Sequence, residues 1–126
     1  MNLNNSTVVV IDDFKSIRKF LCTSLKAEYE GIKLYDAETA MEGIDICKKV
    51  QPDLVVLDLG LPDLDGLEII PEIKKNSLKN RIYIIVLTVR KGKEIVTKVY
   101  EKGADAYLSK PFIIDDLLEI IEENLN

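Results

Sequence analysis

Five short apolar runs punctuate the chain, and a polar residue closes four of them. Residues 7–11 read Thr-Val-Val-Val-Ile and stop at Asp12-Asp13. Residues 54–57 read Leu-Val-Val-Leu and stop at Asp58, with the breakers Gly60, Pro62 and Gly66 close behind. Arg81 leads into residues 82–87, Ile-Tyr-Ile-Ile-Val-Leu, which end at Thr88. Residues 104–108 are broken by Ser109-Lys110-Pro111. Short runs rich in β-branched residues predict strands buried on both faces. The remaining run, Ile32 to Tyr35 after Gly31, is weaker and predicts an edge strand.

Helical spacing fills the intervals. It places Ile17, Phe20, Leu21 and Leu25 on one stripe, and Ala37, Ala40, Met41, Ile44 and Cys47 on the next. Pro52 predicts that the second helix stops before Gln51. A third helix starts near Gly66 with Leu67, Ile70 and Ile73 inward; Pro71 should kink it or delay its regular part. Ile95, Val96 and Val99 mark a fourth helix over 93–102, which Gly103 closes as a C′ residue. Ile114, Leu117, Leu118, Ile121 and Leu125 mark the last. Strand and helix thus alternate five times. That pattern predicts an α/β domain with a parallel sheet and helices on both faces. In such a doubly wound sheet, ligands sit beyond the carboxyl ends of the strands.

Composition narrows the reading. The length of 126 residues suits one domain, 1–126, and the 47% hydrophobic and 31% charged residues suit a globular one. The sequence has no His, which excludes His-ligated zinc and His-based triads. A net charge of −5 argues against direct nucleic-acid binding. The start, Met-Asn-Leu-Asn-Asn-Ser, lacks the pattern of a signal peptide, and no apolar run is long enough for a membrane span. Cys22 and Cys47 fall in helical patterns and read as buried free thiols of a reducing, cytoplasmic compartment.

The strand ends carry the chemistry. Asp12, Asp13, Asp58, Thr88 and Lys110 converge on one rim of the expected sheet. Each has a plain reading alone. The aspartates can cap helices or bind loop backbone, the threonine can be a strand-end hydroxyl, and the lysine can be solvated. Together they form a site. Carboxylates at ~4 Å repel by roughly 4 kcal/mol per pair at an effective dielectric of ~20. Either one stays protonated or a cation enters. Lys110 supplies one positive charge, and an all-oxygen site suits one Mg²⁺ ion. Asp58 is then a candidate nucleophile toward phosphorus, with Lys110 and Thr88 neutralising the transferred group.

The segments Val-Ile-Asp-Asp (10–13), Val-Leu-Asp-Leu-Gly-Leu-Pro-Asp-Leu-Asp-Gly (56–66), Leu-Thr (87–88) and Gly-Ala-Asp-Ala-Tyr-Leu-Ser-Lys-Pro-Phe (103–112) resemble the receiver domain of two-component response regulators. The resemblance covers the full length and leans slightly toward the single-domain chemotaxis type. It implies a flavodoxin-like (βα)5 fold of strand order 2-1-3-4-5. It implies that Asp58 is phosphorylated by a sensor histidine kinase or phosphotransfer protein, or by a small acyl phosphate. Asp13, Asp58 and the Gly60 carbonyl would hold Mg²⁺ directly, and Asp12 would do so through water. Lys110 would bind the phosphoryl group, and Lys110–Pro111 would be cis. Thr88 and Tyr107 would form the switch: the hydroxyl moves toward the phosphate and the ring turns inward. Partners, a downstream effector or an output domain, would read the face of helix four, strand five and helix five. The protein would then be a signalling domain rather than an enzyme, catalysing only its own phosphorylation and slow dephosphorylation.

Some positions are particular to this chain. Val89 stands where a smaller residue is usual and should narrow access to the pocket. Gly60 and Arg90 occupy variable positions expected to tune the phosphate's lifetime. A basic approach and helix four (Arg90, Lys91, Lys93, Lys98, Lys102) faces an acidic helix five (Asp115, Asp116, Glu119, Glu122, Glu123), a complementarity that suits a two-fold homodimer. Other readings fare worse. A haloacid-dehalogenase-type phosphatase needs a second Asp where Gly60 stands. Asp63, Asp65, Gly66 and Glu72 match calcium-loop spacing, but Leu61 holds the first ligand position. An FMN site would not place Asp12-Asp13 in its phosphate loop. The chain leaves no room for an output domain, so a stand-alone regulator and a receiver cut from a DNA-binding regulator both remain open.

Overall fold

The computed structural model describes residues 3–78 and 82–125. Arg81, expected to lead into the fourth strand, lies outside them. The elements alternate as β1 (Thr7–Ile11), α1 (Lys15–Glu28), β2 (Lys33–Ala37), α2 (Ala40–Val50), β3 (Leu54–Asp58), α3 (Gly66–Lys75), β4 (Tyr83–Thr88), α4 (Lys93–Glu101), β5 (Ala106–Ser109) and α5 (Ile114–Leu125). The strands form one parallel sheet in the order β2-β1-β3-β4-β5. Every residue of β3 and β4 is buried, whereas β2 lies at an edge with three of its five residues exposed.

Alternation along the strands builds the core twice. Side chains of successive strand residues point to opposite faces. Val9, Ile11, Val55, Leu57, Ile84 and Val86 pack under α2, α3 and Val99 of α4. Val8, Val10, Leu54, Val56, Ile85 and Leu87 pack under α1 and α5. The central strands β1, β3 and β4 are therefore dry on both sides, and the charged groups they present collect at their carboxyl ends. Register aligns those ends: Ile11 pairs with Leu57, Asp58 with Leu87, and Thr88 with Ser109.

Two helices bury narrower stripes than their periodicity suggests. Phe20 is 47% exposed and Met41 54% exposed. Each lies about 100° around its helix from a buried neighbour, Leu21 and Ala40, and so points away from the sheet. Ala37 closes β2 rather than opening α2. The helix α2 ends at Val50, and Gln51 takes a left-handed conformation (φ 49°) before Pro52. Pro71 lies inside α3 on its exposed side, and the helix continues to Lys75. Its missing N–H leaves the Leu67 carbonyl without a helical donor. Burial of Leu67, Ile69, Ile70 and Ile73 holds the element regardless. Both cysteines are free; Cys47 is buried but Cys22 only half so. Burial pushes the Cys47 thiol up to about 12.

Candidate functional site

At the crevice where the sheet turns from β1 to its two neighbours, three carboxylates meet. Asp12 and Asp13 follow β1, and Asp58 is the last residue of β3. One oxygen of each lies within 4.8 Å of the others. Asp12 is 1% exposed. Its Oδ1 accepts from the Phe14 amide at 2.9 Å, and its Oδ2 from Lys110 Nζ at 2.9 Å. Arg18 donates to the Asp12 carbonyl at 2.8 Å and pairs with Asp36, which ties α1 and β2 to the site. Lys110 also stands 3.7 Å from Asp58 Oδ1.

The charge balance is incomplete. Burial pushes the Asp58 carboxyl up from its ordinary value. Lys110 and the Gly60 amide, which donates to it, oppose that shift, whereas Asp12 and Asp13 reinforce it. Asp13 Oδ1 is buried with no hydrogen-bond partner among the described residues. An orphaned carboxylate oxygen costs roughly 1–3 kcal/mol or more. Three clustered carboxylates with one unsatisfied oxygen are the donor set of a hard divalent cation.

The opposite wall is built from β4 and β5. Thr88, 1% exposed, ends β4, and its Oγ1 accepts from the Arg90 amide at 3.1 Å. The Tyr107 hydroxyl donates to the Arg90 carbonyl at 2.6 Å, and its half-buried ring packs on the first core cluster. The Lys110–Pro111 bond is cis. A cleft of ≈ 350 Å³ opens over Asp58, Gly60, Thr88 and Lys110. Phe14 and Val89, 60% and 69% exposed, stand at its mouth, and Arg90 also lines it. A side chain at residue 60 would start 3.7 Å from Asp58 Oδ2, so glycine leaves that approach open.

The loop after β3 carries residues whose role the spacing alone did not reveal. Asp63 accepts from the amides of Ala40 and Met41, at 2.8 and 3.0 Å, and caps α2. Those bonds hold its carboxyl below the usual range. Asp65 caps α3 through the Leu67 amide and pairs with Arg90 at 3.2 Å. Two of the four residues that match calcium-loop spacing, Asp63 and Asp65, are thus helix caps. An Asp ahead of a helix is a legible capping signal, but a cap on a helix 23 residues away is not.

Comparison with known proteins follows the same lines. A family model described as the response regulator receiver domain matches residues 8–122. The transcriptional regulatory protein KdpE of the KDP operon in Escherichia coli is 39% identical over 112 residues. That match covers 89% of this chain but 48% of KdpE, so the chain spans about half the length of this relative. A CheY-like receiver domain protein from Methanospirillum hungatei superposes with a TM-score of 0.86 at 31% identity, over 95% of this chain and 93% of the other. The Vibrio cholerae chemotaxis protein CheY4 gives 0.86 at 25% identity, over 95% and 98%. Among the described residues, no helix is long and apolar enough to cross a membrane.

Proposed function

Because the chain belongs to the response regulator receiver family of two-component signalling, we propose that it is a switch in which Asp58 accepts a phosphoryl group. A carboxylate oxygen of Asp58 bonds to phosphorus as the donor's bond breaks. With a phosphohistidine donor the P–N bond breaks, and its electron pair returns to the imidazole of the kinase or phosphotransfer protein. Asp13, Asp58 and the Gly60 carbonyl would hold Mg²⁺, with Asp12 assisting through water. That ion would supply charge neutralisation for the transferred phosphoryl oxygens. The single observation that carries this reading is the buried Asp13 Oδ1, which has no hydrogen-bond partner among the described residues, beside Asp58 and Asp12.

The chain's own residues do the rest. Lys110 stands close enough to both Asp12 and Asp58 to follow the added charge. A phosphoryl group adds about −1.5 to −2 charges and three acceptor oxygens. Thr88 offers its hydroxyl to them and releases the Arg90 amide. The ring of Tyr107, bonded to the neighbouring carbonyl, moves with that loop. The face of α4, β5 and α5 then changes for an effector protein or an output domain. Its basic and acidic helices suit a homodimer across that face.

Incubation with acetyl phosphate and magnesium tests the reading by intact mass. The expected result is one phosphoryl group on the wild type and none on Asp58→Asn. Uptake by both, or by neither, would overturn it.

A further inference from the structure

We propose that Asp65 is a positioning residue for the acyl phosphate: it holds the Arg90 guanidinium on the N-terminus of α3, off the phosphoryl group, and so shortens the phosphate's life. The proposal rests on the reading of Asp58 as phosphoacceptor.

Residue 90 is anchored at three points. Its amide donates to Thr88, its carbonyl accepts from Tyr107, and its guanidinium pairs with Asp65. Before phosphorylation the backbone of Arg90 is thus held beside the cleft; once Thr88 turns to the phosphoryl group, the Asp65 pair is the contact that keeps the guanidinium on α3. Asp65 divides its carboxylate between two tasks. Oδ1 caps the Leu67 amide at 3.0 Å, and Oδ2 holds Arg90 at 3.2 Å. An antiparallel backbone β-bridge pairs Asp65 with Gly60, so the chain that carries this carboxylate runs beside a cleft residue that has no side chain. Arg90 and Gly60 line the same cleft over Asp58.

The open side of that cleft is where hydrolysis must begin. A water oxygen bonds to phosphorus as the phosphorus–oxygen bond to Asp58 breaks. The electron pair returns to the Asp58 carboxylate, and a water proton leaves with inorganic phosphate or passes to solvent. Attack is in line with the breaking bond, so it comes from the cleft. A guanidinium seated on the phosphoryl oxygens would occupy that approach, and its planar fork suits those oxygens well. Asp65 competes for the same cation. Both partners are about two-fifths exposed, at 40% and 42%. Exposed pairs shift such a balance by roughly two- to five-fold rather than by orders of magnitude.

Asp65→Asn separates the two tasks of the carboxylate. Asparagine caps a helix about as well as aspartate but lacks the charge that holds Arg90. Asp65→Ser, which keeps a capping oxygen, gives the same test if the first variant folds poorly. Protein loaded with acetyl phosphate and magnesium is desalted, and loss of the phosphoryl group is followed by intact mass. The expected result is a lifetime roughly two- to five-fold longer in Asp65→Asn. In an Arg90→Met background the same substitution should change nothing. A lifetime that is unchanged or shorter with Arg90 present would overturn the proposal. So would an equal change in both backgrounds, which assigns the effect to the cap. Wild-type protein that takes up no phosphoryl group would sink the phosphoacceptor reading, and this proposal with it.

Discussion

Lys110 bonds to Asp12 at 2.9 Å and stands 3.7 Å from Asp58, so the site's lysine rests on the carboxylate that is not the proposed acceptor. Only a small shift separates the two partners. Lys110 is 13% exposed and Asp12 1% exposed, which makes the pair strongly felt and hard to replace by solvent. Breaking a buried pair from one side leaves an uncompensated charge and costs about 3–5 kcal/mol. Lys110→Met should therefore destabilise the metal-free fold by an amount of that order, measured by urea unfolding. Phosphorylation, if it still occurs, should no longer move Tyr107, as read by its ring resonances. A variant as stable as the wild type, with a normal Tyr107 response, would contradict this assignment.

The raised Asp58 carboxyl gives a pH signature with a definite sign. A carboxyl whose folded value lies above its unfolded value binds more protons in the native state across that interval. Its stabilising contribution is complete below the unfolded value and is lost as pH rises through the folded one. Without divalent ions, the stability of wild-type protein should fall relative to Asp58→Asn as pH climbs out of the carboxylate range. At pH 7 the asparagine variant should be the more stable, because it carries no buried charge beside Asp12 and Asp13. Parallel stability curves for the two proteins across that range would refute the electrostatic reading.

Gly66 shows a different constraint, one of space. A Cβ there would stand 2.6 Å from the Leu59 Cα and 2.8 Å from the Asp58 carbonyl oxygen. Both atoms are backbone and cannot swing aside. The start of α3 thus presses on the chain that presents Asp58. Gly66→Ala should cost roughly 2–3 kcal/mol and slow phosphorylation by displacing the acceptor. Thermal unfolding and the rate of mass gain with acetyl phosphate would check both effects. An alanine variant that melts and reacts like the wild type would show that the loop yields without consequence.

Much of this was legible along the chain because strand, breaker and polar terminus recur together. The runs ending in Asp12-Asp13, Asp58 and Thr88 each announce a buried strand and the residue it presents. The all-buried β3 and β4 and the edge β2 follow from apolar content alone. Strand order did not follow from the pattern, since parallel pairing is non-local; the family resemblance supplied it. Stripe width misled at Phe20 and Met41, where periodicity alone does not say how much of a helix the sheet covers. The contacts that knit the rim together, Asp63 to the start of α2, Asp65 to Arg90 and Tyr107 to the Arg90 carbonyl, join loops distant in sequence. Asp65, directly ahead of α3, carries a legible capping signal, but only the folded chain shows that it also meets Arg90 and that Asp63 meets the start of α2.

The clustered carboxylates of Asp12, Asp13 and Asp58 are tested most directly by melting the metal-free protein against added magnesium at pH 7. A ligand present at a hundredfold its dissociation constant stabilises by about 2.7 kcal/mol, which for a domain of this size is a rise of roughly 10 °C. The expected result is a rise of that order in the wild type, strongly reduced in Asp13→Asn. A melting temperature that stays flat in the wild type, or climbs equally in both proteins, would contradict a magnesium site at these three aspartates.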